Sequence, residues 1–392
     1  MRSLAAVRTV KQAVRMIKHM NVQGPEWAGI HEERLEATRR LLEERMRFRI
    51  GNYLHDLATE GISDRRNGGY RRHLLTRMGD IELYVPRTRT SSAVGVIEAY
   101  ARREPWIDRV ILASFVFGLS TRKVGEALLP LLGERISAAT VSRVAEVLDE
   151  AVAAFHSRPL TGRYRVLMLD GVVLSRRSGA GVQRRPVLVA LGITATGKKE
   201  ILDFKLAAGE SQAAWEGFLT DLERRGLKPE QVEMVVSDGG SGLLAALATV
   251  YPGIPVGRCW AHKARNVLDK VKQPDWERVK RDLNRISHAK HRTAARSAAR
   301  RFAERWEKTY PAAVRCLRND LDELLECFRF DDPSWRKAAR TTNAIERRFR
   351  EVRRRTRPMG VFSERTSIER ILFAVFVHEN KKQGTVVPFV LN

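Results

Sequence analysis

The sequence predicts a mixed α+β / α/β chain in which a five-stranded mixed sheet stands among helical segments, and three observations carry that reading. Apolar runs over residues 163–260 follow the order strand, strand, strand, helix, strand, helix, strand. The first three can form a meander, and the later alternation requires parallel pairing through helical crossovers. Residues 1–160 are periodic in the helical sense apart from one alternating stretch, and residues 263–340 are helical, highly charged and free of any strand pattern.

In chain order, Leu35, Leu41, Leu42 and Met46 space an apolar stripe among Glu and Arg, giving a helical module over 1–62. Its first twenty residues, MRSLAAVRTVKQAVRMIKHM, are acid-free and form a basic arm or helix. Over 63–104 the polar stretch SDRRNGGYRRH leads into HLLTRMGDIELYVPRTR. There Ile81, Leu83 and Val85 alternate with Glu82 and Tyr84 beside a Met78-Gly79 turn, the pattern of a basic β-hairpin. Residues 105–160 return to helix: WIDRVILASFVF, TRKVGEALLPLL behind Ser120, and AATVSRVAEVLDEAVAAF behind Ser137, with breaks at Gly118 and Gly133. Two short helices, a tight turn and a Ser-capped helix match a helix-turn-helix, a pattern any three-helix bundle shares. YRVLMLDGVVL, PVLVALGITATG and KEILDFKLA are then buried strands, the first two joined by the basic loop SRRSGAGVQRR. The helix SQAAWEGFLTDLERRG, the strand VEMVVSD, the helix SGLLAALATVY and the short strand IPVGRCW complete the α/β unit at residue 262. The helical stretch that follows has Trp276, Trp306 and Trp335 as expected anchors.

Composition narrows the partners. A formal charge of +25 and a pI near 10.6 exceed what solubility requires, and such a field concentrates polyanions, nucleic acid first among them. No apolar run approaches the ~20 residues of a spanning helix; VILASFVFGLS from Val110 is too short, so a soluble protein without a membrane partner is expected. Three scattered cysteines, Cys259, Cys316 and Cys327, do not make a disulfide framework and suit a reducing, cytoplasmic setting.

Two aspartates stand at strand ends. Asp170 closes VLMLD and Asp238 closes MVVSD, each followed by glycine. Ligands collect beyond the carboxyl ends of parallel strands, and paired carboxylates there can hold a hard cation that keeps open positions for water and phosphate. Two such ions about 4 Å apart serve in-line displacement at phosphorus. For a third carboxylate, Glu200, Asp203, Glu210, Glu216 and Asp221 compete by proximity and Glu346 by context. Glu346 opens a helix rich in arginine, suited to nucleic-acid backbone, and is the residue chosen. On that helix it shares a face with Phe349, Arg350 and Arg353, while Arg347, Arg348 and Arg354 point elsewhere.

With LDG at Asp170, SDGGSG at Asp238, RCWAHKARNVL from Arg258 and NAIE ending at Glu346 before the arginine run, the chain closely resembles the Mutator-type bacterial insertion-sequence transposases. The resemblance extends over nearly the whole chain, including GYRRHLLTRMGDIELYVPR and GLSTRKVGEALLP. It implies a ribonuclease H-like catalytic domain over 161–262 and 341–392, interrupted by an all-helical insertion at 263–340. It also implies a DDE triad: Asp170 on the first strand, Asp238 after the fourth and Glu346 on the late helix. The cofactor implied is Mg²⁺, two ions per site, with Mn²⁺ as substitute. The family's Cys-x-x-His signature is Cys259-Trp-Ala-His262 here. A zinc reading with His288, His291 or Cys316 lacks a second ligand pair. His262 is instead expected near the active centre, against the scissile phosphate or an acidic ligand, and Cys259 as a small buried apolar residue; plain core packing of both stays open.

The expected function is DNA transposition: binding of terminal inverted repeats, metal-dependent cleavage and strand transfer to target DNA. Expected partners are double-stranded DNA and a second copy of the chain on paired ends, in a bacterial, nucleoid-associated setting. Phosphate contacts are assigned to Arg71, Arg72, Arg77, Arg87 and Arg89 on the hairpin, Arg176, Arg177, Arg184 and Arg185 on the basic loop, and Arg347, Arg350, Arg353 and Arg354 after Glu346. A ribonuclease H-like nuclease without strand transfer and a non-catalytic DNA-binding regulator are the alternatives.

Overall fold

Alternation at residues 66–88 produces a two-stranded antiparallel sheet in the computed structural model, which describes residues 25–90, 102–132, 134–178, 181–362 and 364–385. The basic arm expected at 1–20 and the break at Gly133 lie outside the described residues. The chain divides between Val147 and Leu148 into two compact units, Met1–Val147 and Leu148–Asn392.

In the first unit, helix α1 (Pro25–Thr59) lies against strands β1 (Arg66–Thr76) and β2 (Gly79–Thr88). Met46 of α1 is buried with Leu74, Ile81, Leu83 and Val85, and Leu35 and Leu42 pack at the edge of that cluster. The polar stretch after Ser63 is therefore already strand from Arg66. Helices α2 (Pro105–Val116), α3 (Thr121–Leu132) and α4 (Ala138–Ala145) follow. Gly118 makes the first turn with φ of 103°, and Ser137 caps α4 by accepting the Thr140 N–H at 3.1 Å. The helix expected behind Ser137 is two helices. Its first part ends where the Glu146 N–H reaches back to Arg143 O at 3.1 Å, the tight bond that closes a helix end; the second, α5 (Leu148–Ser157), opens the next unit.

The second unit is built on a mixed five-stranded sheet, in the spatial order β5-β4-β3-β6-β7. Strands β3 (Tyr164–Ser178), β4 (Gly181–Thr194) and β5 (Lys199–Leu206) form the antiparallel meander. Strand β6 (Val235–Ser237) joins β3 in parallel and β7 (Val256–Arg258) joins β6. The segment expected as a basic loop is paired strand instead, with Ser175 opposite Arg184 and Arg176 opposite Gln183. A two-stranded ribbon extending beyond the sheet has no buried face to satisfy, so charge does not interrupt the ladder. Phe362 adds to that ribbon, accepting the Arg177 N–H at 2.7 Å.

Helices α6 (Gln212–Arg224) and α7 (Ser241–Val250) cover one face, where Leu167 and Leu169 of β3 meet Trp215, Phe218, Leu243 and Leu247. The other face carries α14 (Asn343–Met359) and α15 (Arg365–Lys382). Phe373 and Phe376 of α15 meet Phe155 and Phe204 in an aromatic cluster. Arg370 holds Asp149 with two bonds of 2.6 and 2.5 Å, and the Asn380 amide caps the Ile201 backbone at 2.7 and 3.0 Å. Between β7 and α14 run α8 (Trp260–Leu268), α9 (Trp276–Ser287), α10 (Arg292–Trp306), α11 (Pro311–Asn319), α12 (Leu321–Leu324) and α13 (Pro333–Ala339). Of the expected anchors, Trp306 is buried with its N–H on Asp282 at 3.0 Å, while Trp276 and Trp335 are half-buried.

Asp203, on β5, is buried with its carboxylate bonded to Arg225, to His156 at 2.7 Å and to the Phe204 N–H at 2.7 Å. Removing one partner of a buried pair strands the other, a loss of about 3–5 kcal/mol. Asp203→Ala should lower the stability of this unit by about that amount, read from the shift of its denaturant midpoint.

Candidate active site

The pairing of β3 with β6 sets the site. Leu167 lies opposite Val235 and Met168 opposite Val236, each 68 residues on; Asp170 and Asp238 are also 68 apart. Asp238 follows directly on the end of β6 at Ser237, two residues past the last pair, and its charge acts on Asp170. Side chains alternate across β3, so Asp170 faces away from Leu167 and Leu169, towards α14. Asp170 is half-buried and its Oδ1 accepts the Gly171 N–H at 2.8 Å, whereas Asp238 is exposed.

Two helix starts close the third side. The Cys259 N–H donates to Ser237 O at 2.8 Å, which seats the beginning of α8 one residue before Asp238. The N–H and the hydroxyl of Thr342 both donate to Cys259 Sγ at 3.3 Å, which docks the beginning of α14 onto that of α8. One turn into each helix stand His262 and Glu346, 3.6 Å apart at Nε2 and Oε1. Positive helix N-termini beside gathered acids are favourable. Cys259 is buried as expected, yet it serves as a hydrogen-bond acceptor and not as an inert apolar group. His262 is half-buried and lines the cavity, so plain core packing does not describe it.

The charges are unevenly satisfied. Burial pushes the Asp170 carboxyl up to about 7, and the nearby Asp238 and Glu346 carboxylates add to that, against the Gly171 N–H and His262. His262 is raised to about 9, chiefly by Cys259, with Asp170 and Glu346 contributing and partial burial opposing. Burial alone would raise the Cys259 thiol; hydrogen bonding with His262 and Thr342 more than offsets it, and the thiol lies below its ordinary value. Glu210, in the turn between β5 and α6, is raised by partial burial and by the charge of Asp238.

A cavity of about 540 Å³ opens over these groups, lined by Asp170, Gly171, His262 and Glu346 and rimmed by Arg265, Arg347, Arg350 and Arg353. Arg347 thus shares the cavity, contrary to the face expected for it. A side chain next in sequence can swing round the rim of an exposed helix when its stem is long. Arg354 is turned away and paired with Glu351 at 2.9 Å, and Arg355 is buried on the same carboxylate at 2.7 Å. Arg265 was missed by sequence reasoning. Its place one turn after His262, on the same face of α8, was the signal that could have found it.

The other assigned arginines are distributed differently. Arg176, Arg177, Arg184 and Arg185 lie on the β3–β4 ribbon; Arg185 donates to Ala208 O at 2.9 Å and Gln183 at 2.6 Å. In the first unit, Arg71 pairs with Glu82 at 3.1 Å, Arg77 with Glu104 at 2.8 Å, and Arg87 donates to Asn67 O at 3.0 Å. Arg72 is half-buried on the face of Leu74 and Leu83, and Arg89 is exposed.

Metal ligation has two donor sets to choose from. Cys259, His262 and Glu346 bring ligand atoms within 4.8 Å of one another. His288 bonds to Ser287 at 2.9 Å, His291 caps α10, and Cys316 lies by Lys263, so none of them joins. The Cys259 sulfur is already engaged by both Thr342 donors, whereas Asp170 feels the like charge of Asp238 and Glu346, which a cation would relieve. The oxygen set suits a hard ion.

The sequence matches the family model described as transposase, Mutator family, over residues 9–384. It is 31% identical to the transposase for insertion sequence element IS905 of Lactococcus lactis, over 88% of this chain and 87% of that one. It is 31% identical to the ISRM5 transposase of Rhizobium meliloti, over 94% and 92%. It is likewise 31% identical to the IS256 transposase of transposon Tn4001 of Staphylococcus aureus, over 81% and 82%. The chain belongs to the Mutator family of transposases. In this Mutator-family transposase no described helix is long and apolar enough to cross a membrane.

A carboxyl whose pKa is raised on folding holds its proton more tightly in the folded state. Stability then falls as pH rises from about 4 to about 7, and the full cost persists above. Asp170→Asn removes it. In metal-free buffer this variant should melt higher than wild type at pH 8, by an amount that reflects a few kcal/mol, and the difference should vanish near pH 4.

Proposed function

We propose that this chain is a DDE transposase, which binds the terminal inverted repeats of its element and carries out metal-dependent strand cleavage and transfer. The observation that carries the reading is that Asp170 and Glu346 line one cavity rimmed by arginine, with Asp238 at the neighbouring strand end, near enough for its charge to act on Asp170. The strand order and the α14 helix on the β3 face support a ribonuclease H-like catalytic domain. Helices α8 to α13 would be its insertion, since 108 positions separate Asp238 from Glu346 where a strand and a helix need ~30.

Divalent Mg²⁺, held by the three carboxylates, would supply the charge that lowers the barrier to in-line attack at phosphorus. The chain's own groups bind and orient. Arg265, Arg347, Arg350 and Arg353 hold the phosphates flanking the scissile one, fixing the attacking oxygen in line. His262, protonated near neutral pH, places a positive charge 3.6 Å from Glu346 and faces the same cavity. Water attacks first and releases a 3′-hydroxyl; that hydroxyl then attacks a phosphodiester of target DNA and displaces a second 3′-oxygen. No side chain forms a covalent bond to DNA. Paired ends call for two copies of the chain, a homodimer.

Incubated with end-containing DNA and Mg²⁺ or Mn²⁺, wild type should nick and join. Asp170→Asn, Asp238→Asn and Glu346→Gln should bind the DNA with little change and lose at least 10²-fold in cleavage, the scale of a lost electrostatic group. Cleavage without any joined product would identify a nuclease, and cleavage that survives Asp170→Asn would sink the assignment. Arg350→Ala and Arg353→Ala should each weaken DNA binding and lower the slope of log K against log salt by about 1, measured by anisotropy across a salt series.

A further inference from the structure

Five carboxylates between β5 and the end of α6 compete in the sequence for a place beside Asp170 and Asp238, and four are engaged elsewhere. Glu200 accepts the Tyr164 hydroxyl at 3.2 Å and lies 3.8 Å from Arg158. Asp203 holds His156 and Arg225, Asp221 holds Arg224 at 2.6 Å and Arg225 at 3.1 Å, and Glu216 accepts from Gln212 at 2.7 Å. Among the described residues, Glu210 has no hydrogen-bonding or ion-pair partner for its carboxylate; the charge that acts on it is that of Asp238.

Its backbone is fixed by one of the glycines that follow the two acids, and its carboxylate lies over the other. A Cβ on Gly171, next to Asp170, would lie 2.4 Å from Glu210 Oε1 and 3.0 Å from its carboxyl carbon. A Cβ on Gly242, in the first turn of α7 after Asp238, would lie 2.6 Å from Glu210 O and 2.9 Å from the Gln212 N. The second contact is with backbone and leaves no room for a side chain, whereas a side chain at the first would displace the Glu210 carboxylate. Residue 210 therefore lies between these two glycines, its carbonyl against Gly242 and its carboxylate over Gly171, where the charge of Asp238 acts on it. An acid just before a helix N-terminus is favoured by the dipole in any case. That accounts for a negative charge near α6, but not for the place of its carboxylate over Gly171.

We propose that Glu210 is a fourth carboxylate of the cation site, acting on the ion between Asp170 and Asp238 through that ion's bound water. The inference rests on the three-acid reading above. Glu210 is exposed at the rim of the site, which suits an ion that keeps several waters and is held by few protein oxygens. It reaches the sheet edge from the α6 side, opposite Glu346 on the α14 side, so the ion would be flanked from both faces of the sheet.

The test is Mn²⁺ binding to the full-length protein without DNA, followed by electron paramagnetic resonance, with end-DNA binding and circular dichroism as controls of fold. Glu210→Gln should weaken Mn²⁺ about ten- to hundredfold, the scale on which partners of a metal's ligands act, with DNA binding unchanged. Glu210→Asp should recover part of the loss, which a merely structural role would not give. Gly171→Ala, which displaces the carboxylate and leaves its charge, should weaken Mn²⁺ in the same direction and decides the matter if Glu210→Gln does not fold. Mn²⁺ affinity unchanged in Glu210→Gln while Asp170→Asn abolishes it would overturn the role of Glu210 alone. Affinity unchanged in Asp170→Asn as well would overturn the three-acid reading and this inference with it.

Discussion

Everything at the site depends on two short stretches of parallel pairing, Leu167–Met168 against Val235–Val236. Burying and gathering carboxylates is electrostatically unfavourable, and Asp170 shows the cost in a carboxyl raised to about 7, chiefly by burial and further by Asp238 and Glu346. The carboxylates do not assemble themselves; the sheet forces them together. Val235 and Val236 are fully buried and hydrogen-bonded on both sides, by β3 and by β7. Apolar burial of about 25 cal/mol per Å² in the cluster beneath offsets the repulsion above it. The same rigidity that holds two acids in register makes the edge a place where charge can be balanced only from outside.

Helix α14 divides its arginines by role, and the division follows burial. Arg348 and Arg355 point inwards; Arg355 is locked on Glu351 at 2.7 Å, and Arg348 lies 4.0 Å from Glu379. Arg347, Arg350 and Arg353 stay exposed at the cavity rim. Arg348 thus faces α15 and Arg355 is paired within α14 itself, while the outward set is exposed. An arginine-rich segment that looks uniform in sequence is thus two sets, one buried in packing and one exposed at the cavity rim. The far end of the helix is tied down as well, through Phe362 on the β3 ribbon, so Glu346 cannot slide along the sheet.

The strand order and the two aspartates were legible because apolar runs, glycines and strand ends are local signals. Ser137 and Gly118 were legible for the same reason: caps and positive-φ turns depend on a few neighbours. The ribbon beyond Ser175 was not, since its pairing is fixed by backbone hydrogen bonds to β4 and Phe362 and its side chains carry no apolar alternation. Nor was the split after Ala145. The role of Cys259 was hidden by distance along the chain: the Thr342 donors that engage its sulfur stand 83 residues away. Glu210 was visible as one of five acids, but only the space above Gly171 separates it from the other four.

That one carboxylate, Glu346, should sit at the head of so much positive charge is explained by what neutralises it. Its close partner is His262 at 3.6 Å, and no pair with Arg350 forms among the described residues. The exposed arginines line the same cavity without pairing with Glu346 among the described residues, and its Oε1 accepts the Thr342 hydroxyl at 3.4 Å. A direct Arg–carboxylate fork would occupy the very lone pairs that a hard cation needs. His262 supplies the same sign of charge through a single longer contact, and the Cys259 sulfur beside it stabilises the imidazolium. Positive charge is therefore supplied at two ranges. The near one is soft enough to yield to a cation, and the far one is fixed along the path a phosphate backbone would take.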